Sequence, residues 1–178
     1  MKGTPINSYA PDFELPGVDN QVHHLARYLE RYRAVVVLFL SNQSSSVHLY
    51  LNRLKQLQQE CEPQNVTLVG INPNDAAQSP MESFEQMKSW AQEQVLNFPY
   101  IRDVTQDVAA SFGAQVTPEA FLLDQEGVLR YRGKIDDSPQ TPETVQTECL
   151  KLAIAQLLRG EVIDPTVTEP VGQPIQWR

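Results

Sequence analysis

Six consecutive polar residues, Ser-Asn-Gln-Ser-Ser-Ser at positions 41–46, form the segment of this chain where chemistry is most expected. They directly follow the apolar run of residues 35–40, and helical spacing of apolar residues begins just after them. A buried strand that leads through a loop into a helix is where open α/β folds place their reactive groups. The segment itself offers only hydroxyl and amide side chains, so it has the position of an active site without thiol, imidazole or carboxylate.

Serine at such a position favours helix capping over catalysis. A thiol has a pKa near 8.5 that a helix N-terminus can lower, whereas a serine hydroxyl is a far weaker acid and has no sulfenic or disulfide state. Ser44 or Ser45 can instead accept a backbone N–H at the helix start, which stabilises a helix by about 1 kcal/mol. The alternative is a nucleophile, because Ser44 and His48 would share a helix face. No G-x-S-x-G elbow and no nearby orienting carboxylate supports that alternative.

The remaining thiols and imidazoles do not suggest a redox or metal site. Cys61 and Cys149 are far apart in sequence and form no C-x-x-C pair. Cys61 lies between two glutamates, which raise the pKa of a thiol, and Cys149 is expected to face the sheet as a small hydrophobic residue. His23 and His24 alternate on a predicted strand and cannot both bind one metal ion. We therefore predict no metal, no cofactor and no disulfide scaffold.

Composition limits the partners and the compartment. The 178 residues, 41% of them hydrophobic, are enough for a single core. The net charge of -8 repels phosphate backbones and anionic lipids, so neither nucleic acid nor a membrane surface is an expected partner. The sequence contains no apolar stretch typical of a signal peptide or a membrane span, which indicates a cytoplasmic protein. No feature sets an oligomeric state.

The elements around the serine loop alternate between strand and helix. The strand at 34–40, the amphipathic helix that ends near Cys61 and the strand at 66–71 form a βαβ unit, whose strands are almost always parallel. A four-residue turn that ends in Gly127 joins two later strands and predicts an antiparallel hairpin. The other predicted elements are a hairpin of 10–17 with 21–25, helices at 25–32, 80–91, 105–112 and 143–159, and an extended piece at 97–103.

This order predicts an α/β fold with a mixed central sheet flanked by helices on both faces and an N-terminal β-hairpin. We assign residues 1–160 to a single domain. Residues 161–178 contain Pro165, Pro170 and Pro174 and form an irregular C-terminal tail, although Ile175 and Trp177 suggest that its end packs against the domain.

Several stretches of the chain resemble the alkyl hydroperoxide reductase/thiol-specific antioxidant superfamily, in its peroxiredoxin-like branch. The resemblance implies a thioredoxin-like fold over nearly the whole chain. The matching stretches are residues 10–15 (APDFEL), 39–47, 116–119 (VTPE) and 121–133 (FLLDQEGVLRYRG), extended by 134–138.

The same resemblance identifies three positions where the family carries cysteine. Members of this branch usually read C-N-H-C-P-Y-V at the active-site loop, and this chain reads S-N-Q-S-S-S-V, so Ser41 and Ser44 occupy the two cysteine positions. A C-terminal G-C-x-I-x-W pattern here reads G-Q-P-I-Q-W, which places Gln173 at the third. The resemblance therefore implies vestigial thiol positions and no catalytic residue of the family type.

The Thr117-Pro118 pair resembles a family motif in which the proline is cis and faces the active-site loop. In the family this proline flanks a groove where an extended partner segment can lie beside the sheet. On that basis we predict a cis bond, and a protein or peptide partner at a groove beside Pro118. A tight turn before Ala120 is an equally acceptable role for the pair. The predicted binding residues are Asn42, Gln43, Ser45, Thr117 and Pro118.

Three functions remain compatible with the sequence. The first is a redox-inactive, thioredoxin-like or peroxiredoxin-like protein that serves as a protein-binding or assembly module. The alternative is a thiol-dependent peroxidase or disulfide reductase that uses Cys61, Cys149 or the thiols of a partner. The third is a structural subunit attached to a larger assembly through its tail.

Overall fold

The computed structural model of the protein describes residues 3–178 and is built around a five-stranded sheet. The helices are α1 Leu25–Arg31, α2 Ser45–Cys61, α3 Phe84–Glu93, α4 Asp107–Phe112 and α5 Cys149–Leu158. The strands are β1 Glu14–Pro16, β2 Val22–His24, β3 Ala34–Phe39, β4 Val66–Asn72, β5 Tyr100–Arg102, β6 Val116–Thr117, β7 Glu119–Asp124, β8 Leu129–Gly133 and β9 Gln173–Pro174. Short 3-10 turns occur at Glu62–Gln64, Pro80–Glu82 and Pro142–Thr144.

The central sheet is mixed, as the order of elements predicts. Its strands lie in the order β5-β4-β3-β7-β8. Strand β3 runs parallel to β4 and antiparallel to β7, and β7 forms the predicted antiparallel hairpin with β8. Strands β1 and β2 form a separate N-terminal hairpin. Both the βαβ unit and the two hairpins are therefore confirmed.

Strand β3 is the centre of the core because helices cover both faces of the sheet. All of its side chains are fully buried, and successive ones point to opposite faces. Val36 and Leu38 lie in one apolar cluster with residues of α2, α3 and α5. Val37 and Phe39 lie in a second cluster with residues of α1 and α4. Packing on both sides fixes the end of β3 and thus the start of the serine loop.

The helix predicted from Pro80 is divided into two pieces. Pro80–Glu82 form a 3-10 turn, and α3 begins only at Phe84, where the side chain of Ser83 accepts a hydrogen bond from the backbone N–H of Gln86. The break has a structural consequence, because the turn directs Glu82 toward the serine loop instead of along the face of α3.

The closing helix is shorter than predicted and begins at Cys149 instead of residue 143. The carboxylate of Asp137 accepts the backbone N–H groups of Gln146 and Thr147, at 3.0 and 3.1 Å. These bonds tie the segment before α5 to the preceding loop, so the chain cannot continue the 3-10 turn at 142–144 directly into the helix.

The tail is irregular over most of its length, but it pairs with strands at two places that the sequence argument did not predict. The backbone of Arg132 in β8 exchanges hydrogen bonds with Thr166 and Thr168, at 2.9 and 3.0 Å. Farther on, β9 pairs antiparallel with β6. Ile175 is 4% exposed, so it packs against the domain as predicted, whereas Trp177 is 40% exposed and does not.

Candidate functional site

Ser44 is the N-cap residue of α2, and its hydroxyl makes two hydrogen bonds within the protein. Its hydroxyl accepts the backbone N–H of Val47 at 3.2 Å, which is the bond of an N-cap residue. The same hydroxyl donates to the carbonyl oxygen of Thr117 at 2.9 Å. The predicted capping role is confirmed, and the serine links the start of α2 to the segment that contains Pro118.

Ser41 is held in the same way at the end of β3. Its Oγ accepts the backbone N–H of Ser44 at 3.1 Å and lies 3.2 Å from Oγ1 of Thr117. Ser41 is 1% exposed and Ser44 is 4% exposed. The Thr117-Pro118 bond is cis, as predicted, and the pair lies against both serines. The hydroxyls of Ser41 and Ser44 therefore bind the protein itself.

Glu82 completes the loop and is the site residue that sequence reasoning missed. Its side chain is directed to the loop by the 3-10 turn, and the residue is 1% exposed. One carboxylate oxygen accepts the backbone N–H of Asn42 at 2.9 Å and the side-chain amide of Asn72 at 2.7 Å. The other oxygen accepts the backbone N–H of Gln43 at 2.8 Å. A negative charge is favourable here because unpaired N–H groups converge at the start of a helix.

A polar network extends behind Glu82 into the core. The hydroxyl of Tyr100 donates to Oδ1 of Asn42 at 2.7 Å, and the amide of Asn72 lies 3.1 Å from the same hydroxyl. Burial, reinforced by the charge of Glu82, raises the pKa of Tyr100 well above its ordinary value. Tyr100 is therefore a permanent hydrogen-bond donor, and its hydroxyl helps to hold the loop through Asn42.

His48 does not activate Ser44. Its Nε2 lies 2.6 Å from the carbonyl oxygen of Asn42, so this nitrogen carries the proton and donates it. The ring also stacks on Trp90 with 6.2 Å between centroids. Since the hydroxyl of Ser44 binds Val47 and Thr117 instead, the geometry gives no support to a serine–histidine nucleophile.

The C-terminal tail reaches the same loop. In the β6–β9 pair Gln173 lies opposite Thr117, and Pro174 lies opposite Val116. The side-chain oxygen of Gln173 accepts the backbone N–H of Ser45 at 2.7 Å. Ser41, Ser44 and Gln173 therefore lie together at the start of α2.

The predicted binding residues also come together here, but they differ in exposure. Asn42, Thr117 and Pro118 are buried, whereas Gln43 and Ser45 are exposed. A shallow cleft of about 450 Å³ remains between the loop and the tail. It is lined by Ser41, Gln43, Ser44, Asn74, Glu82, Thr117 and residues 173–176.

The two cysteines lie away from this loop and are poor thiolate formers. Cys61 ends α2, at the opposite end of the helix from Ser45, and Cys149 begins α5. Burial, with the charge of Glu60 as a second cause, raises the pKa of the Cys61 thiol to about 11. Burial likewise raises the pKa of Cys149. Both thiols are free, and their environments oppose nucleophilic chemistry.

In residues 3–178 the possible metal ligands do not cluster, and the histidines of the N-terminal hairpin contact neighbouring side chains. No group of three or more His, Cys, Asp or Glu side chains in this part of the chain is arranged to hold a metal ion. His23 lies between Asp19 and Tyr28, with ring nitrogens 2.9 and 2.6 Å from their oxygens, while His24 lies 3.8 Å from Glu14. None of the helices described is both long enough and apolar enough to cross a bilayer.

Comparisons with known proteins identify the wider group to which these features correspond. The AhpC/TSA family model matches residues 6–132 of the chain. No curated protein matches the chain significantly. Two crystal structures are similar over nearly the full length of both chains. An uncharacterized conserved protein from Geobacillus kaustophilus has 34% identity and a TM-score of 0.90, with 98% of this chain and 93% of that chain covered. A hypothetical protein from Sinorhizobium meliloti has 31% identity and a TM-score of 0.91, covering 99% and 97%.

More distant structures share the fold alone. A peroxidoxin from Mycobacterium tuberculosis has 18% identity and a TM-score of 0.67, with 87% of this chain and 96% of that chain covered. The thioredoxin domain of a thiol-disulfide oxidoreductase from Bacteroides vulgatus has 17% identity and a TM-score of 0.61, covering 71% and 86%. The predicted thioredoxin-like fold, with a mixed sheet between helices, is confirmed.

Proposed function

The chain belongs to the AhpC/TSA family, and on this premise we propose that it is a redox-inactive member that acts as a protein-binding or assembly module. In this proposal Ser41 and Ser44 replace the two active-site cysteines of the family, and Gln173 replaces a third. The fold keeps its loop, its cis-proline and its helix start, while the chemistry that needs a thiolate is lost.

One observation carries the proposal: the hydroxyls of Ser41 and Ser44 are used to join the start of α2 to the Thr117-Pro118 segment. Each makes hydrogen bonds of 2.9 to 3.2 Å within the protein. A serine in this arrangement stabilises the loop, because its hydroxyl both donates and accepts hydrogen bonds within the protein. The residues thus have a structural role that is sufficient to explain them.

The alternative function, a thiol-dependent oxidoreductase, requires Cys61, Cys149 or the thiols of a partner. Raised pKa values keep both cysteines as neutral thiols near pH 7, and both residues are buried. The distant peroxidoxin and oxidoreductase structures share only the fold with this chain. We therefore rank this alternative below the binding module.

The surface available to a protein partner is the rim of the cleft. It presents the exposed residues Gln43 and Ser45 of the loop and Met81 of the 3-10 turn, with Asn42, Thr117 and Pro118 beneath them. The tail residues Gln173 and Pro174 lie over β6 and cover the groove beside Pro118. A strand such as β6 favours an extended backbone, which binds by main-chain hydrogen bonds. Two free thiols are typical of a reducing compartment, so we assign the function to the cytoplasm.

An activity assay tests the redox part of the proposal. The purified protein is supplied with hydrogen peroxide, an organic hydroperoxide or a protein disulfide, together with an excess of dithiol reductant. We expect turnover equal to the protein-free rate. A Ser41→Cys, Ser44→Cys double variant in parallel shows whether the frame still supports thiol chemistry. Wild-type turnover above the blank contradicts the proposal, and its loss in a Cys61→Ser, Cys149→Ser variant would favour the alternative.

Affinity capture tests the binding part. Gln43→Arg places a bulky charge on the rim, and Gln59→Arg makes the same change on an exposed part of α2 far along the helix. We expect a specific companion of the wild-type protein to be lost with Gln43→Arg and kept with Gln59→Arg. A companion that is kept by both variants, or lost with both, does not bind at this rim.

A further inference from the structure

We infer that the groove beside Pro118 recognises an extended segment of the pattern Gly–Gln–Pro–aliphatic, that residues 172–175 of the chain occupy it at rest, and that the protein partner presents a segment of this kind. This inference rests on the proposed function, since it names the chemistry of that partner. Gly172, Gln173 and Ile175 each make a contact that restricts the side chain at that position, and Pro174 lies in the backbone ladder.

The first position accepts only glycine. A Cβ atom on Gly172 would lie 2.5 Å from the carbonyl oxygen of Thr117 and 2.7 Å from its carbonyl carbon. Real Cβ atoms essentially never come this close, and the atoms that block it are backbone atoms beside the cis bond, which cannot move aside. Any larger residue must lift the segment off Thr117 and Pro118.

The second and third positions select an amide and an extended backbone. The side-chain oxygen of Gln173 accepts the N–H of Ser45, which is one of the unpaired donors in the first turn of α2. Pro174 pairs with Val116 in the short antiparallel ladder. A proline has a fixed φ that suits an extended segment, so less entropy is lost when the segment binds.

The fourth position is an apolar anchor, and the fifth fixes the register. Ile175 is 4% exposed, lies in the apolar cluster that contains Phe39, and donates its N–H to the carbonyl of Gln115 at 2.9 Å. The backbone of Gln176 donates to Oδ1 of Asn74 at 2.9 Å and accepts from the N–H of Asp75 at 3.0 Å. The groove therefore binds both the backbone and the side chains of this segment.

A short link joins this segment to the rest of the tail. Thr168 is bound to β8, and Gly172 begins the groove segment, which leaves only residues 169–171 between them. A link this short gives the tail an effective concentration on the order of 1 mM at its own groove. A free peptide at micromolar concentration therefore competes poorly with the wild-type tail. In a variant whose tail no longer fits, the groove is open to the peptide.

Full-length variants and a synthetic peptide test the inference. Gly172→Ala creates the backbone clash and opens the groove, and circular dichroism verifies that the variant is folded. Ile175→Ser is a second open variant, which removes the anchor but leaves the groove residues unchanged. The probe is a fluorescent nonapeptide with the sequence of residues 170–178, followed by anisotropy. The control is the same peptide carrying Gly172→Ala.

We expect saturable binding of the nonapeptide to a folded open variant, at least about tenfold tighter than to the wild type, and no binding of the control peptide. The inference is wrong if the nonapeptide binds to neither open variant. It is also wrong if the nonapeptide and the control peptide bind equally, or if the nonapeptide binds equally to the wild type and the open variants. The peptide result is independent of redox activity. If the protein shows thiol-dependent turnover and an open variant binds the peptide, the proposed function is wrong and this inference stands. If the protein shows no turnover and no open variant binds the peptide, this inference is wrong and the proposed function stands.

Discussion

Glu82→Gln tests whether the buried carboxylate holds the serine loop in place. The substitution keeps the shape of the side chain and replaces one oxygen by an NH₂ group. In the wild type three N–H donors converge on the carboxylate, from Asn42, Gln43 and Asn72, at 2.7 to 2.9 Å. An amide has one oxygen only, so at least one of these donors must face another donor.

The expected loss follows from the number of bonds. A hydrogen bond to a charged group contributes about 1.5–3 kcal/mol, and a neutral bond about half as much. The best orientation of the amide directs its oxygen to Asn42 and Asn72, weakens these two bonds, and loses the bond to Gln43. The neutral amide costs less to bury than the carboxylate, which offsets part of this loss. We therefore expect the unfolding free energy of the variant to be about 3 kcal/mol lower than that of the wild type. For a chain of this size that is a decrease in Tm of about 6–12 °C.

Urea and thermal unfolding of the wild type and the variant measure the difference. Glu85→Gln is the matched control, because it makes the same chemical change three residues away on a side chain that is 80% exposed and pairs only with Lys88. We expect the control to leave the midpoint unchanged. A Glu82→Gln midpoint within about 1 °C of the wild type would show that the carboxylate does not stabilise the loop.

Three further predictions follow from the site and its surroundings. Ser44→Ala removes the helix cap and the bond to the Thr117 segment, so we expect the unfolding free energy measured in urea to fall by about 1–2 kcal/mol. The control is Ser45→Ala at the neighbouring exposed position, which should leave the unfolding free energy unchanged. Equal losses in the two variants would contradict the capping role. In the native protein at pH 8, we expect an aromatic disulfide reagent to leave Cys61 and Cys149 unmodified. In denaturant both thiols should react fully. Rapid labelling of the native protein would contradict their burial. Burial raises the pKa of Asp103, so the folded state holds that proton more tightly than the unfolded state does. The stability of the wild type relative to Asp103→Asn should therefore increase as the pH falls from 7 to about 4, and a Tm difference that is constant with pH would contradict this.

The sequence predicts the frame of the site because local patterns determine it. A run of β-branched and aliphatic residues that ends at polar residues favours a strand buried on both faces, as β3 is, and the apolar spacing after residue 46 favours a helix on the sheet. The position of Ser44 and Ser45 between them favours a cap, and the structure gives that role to Ser44. Family resemblance adds the cis-proline.

The features that the sequence does not predict depend on contacts between distant residues. From the sequence, Glu82 is expected to be a solvated helix residue. Nothing near it in sequence indicates that a 3-10 turn directs its side chain to the backbone N–H groups of Asn42 and Gln43, about forty positions earlier. Gly172 begins the C-terminal pattern of the family, but the reason for a glycine there appears only when Thr117 lies against it. The late start of α5 likewise depends on Asp137, which precedes the helix and competes for its backbone N–H groups.

The tail has a second consequence, which concerns association between molecules. Strand β8 lies at one edge of the central sheet, and an uncovered edge strand invites the sheet of another molecule to pair with it. The backbone of Thr166 and Thr168 already takes up bonds of Arg132 at that edge. At the opposite edge Gly17 and Val18 pair with residues of β5. The segments that cover the two edges, together with the net charge of -8, oppose edge-to-edge aggregation. Concentrated solutions of the protein should therefore stay free of β-rich aggregates as long as residues 166–168 remain paired with β8.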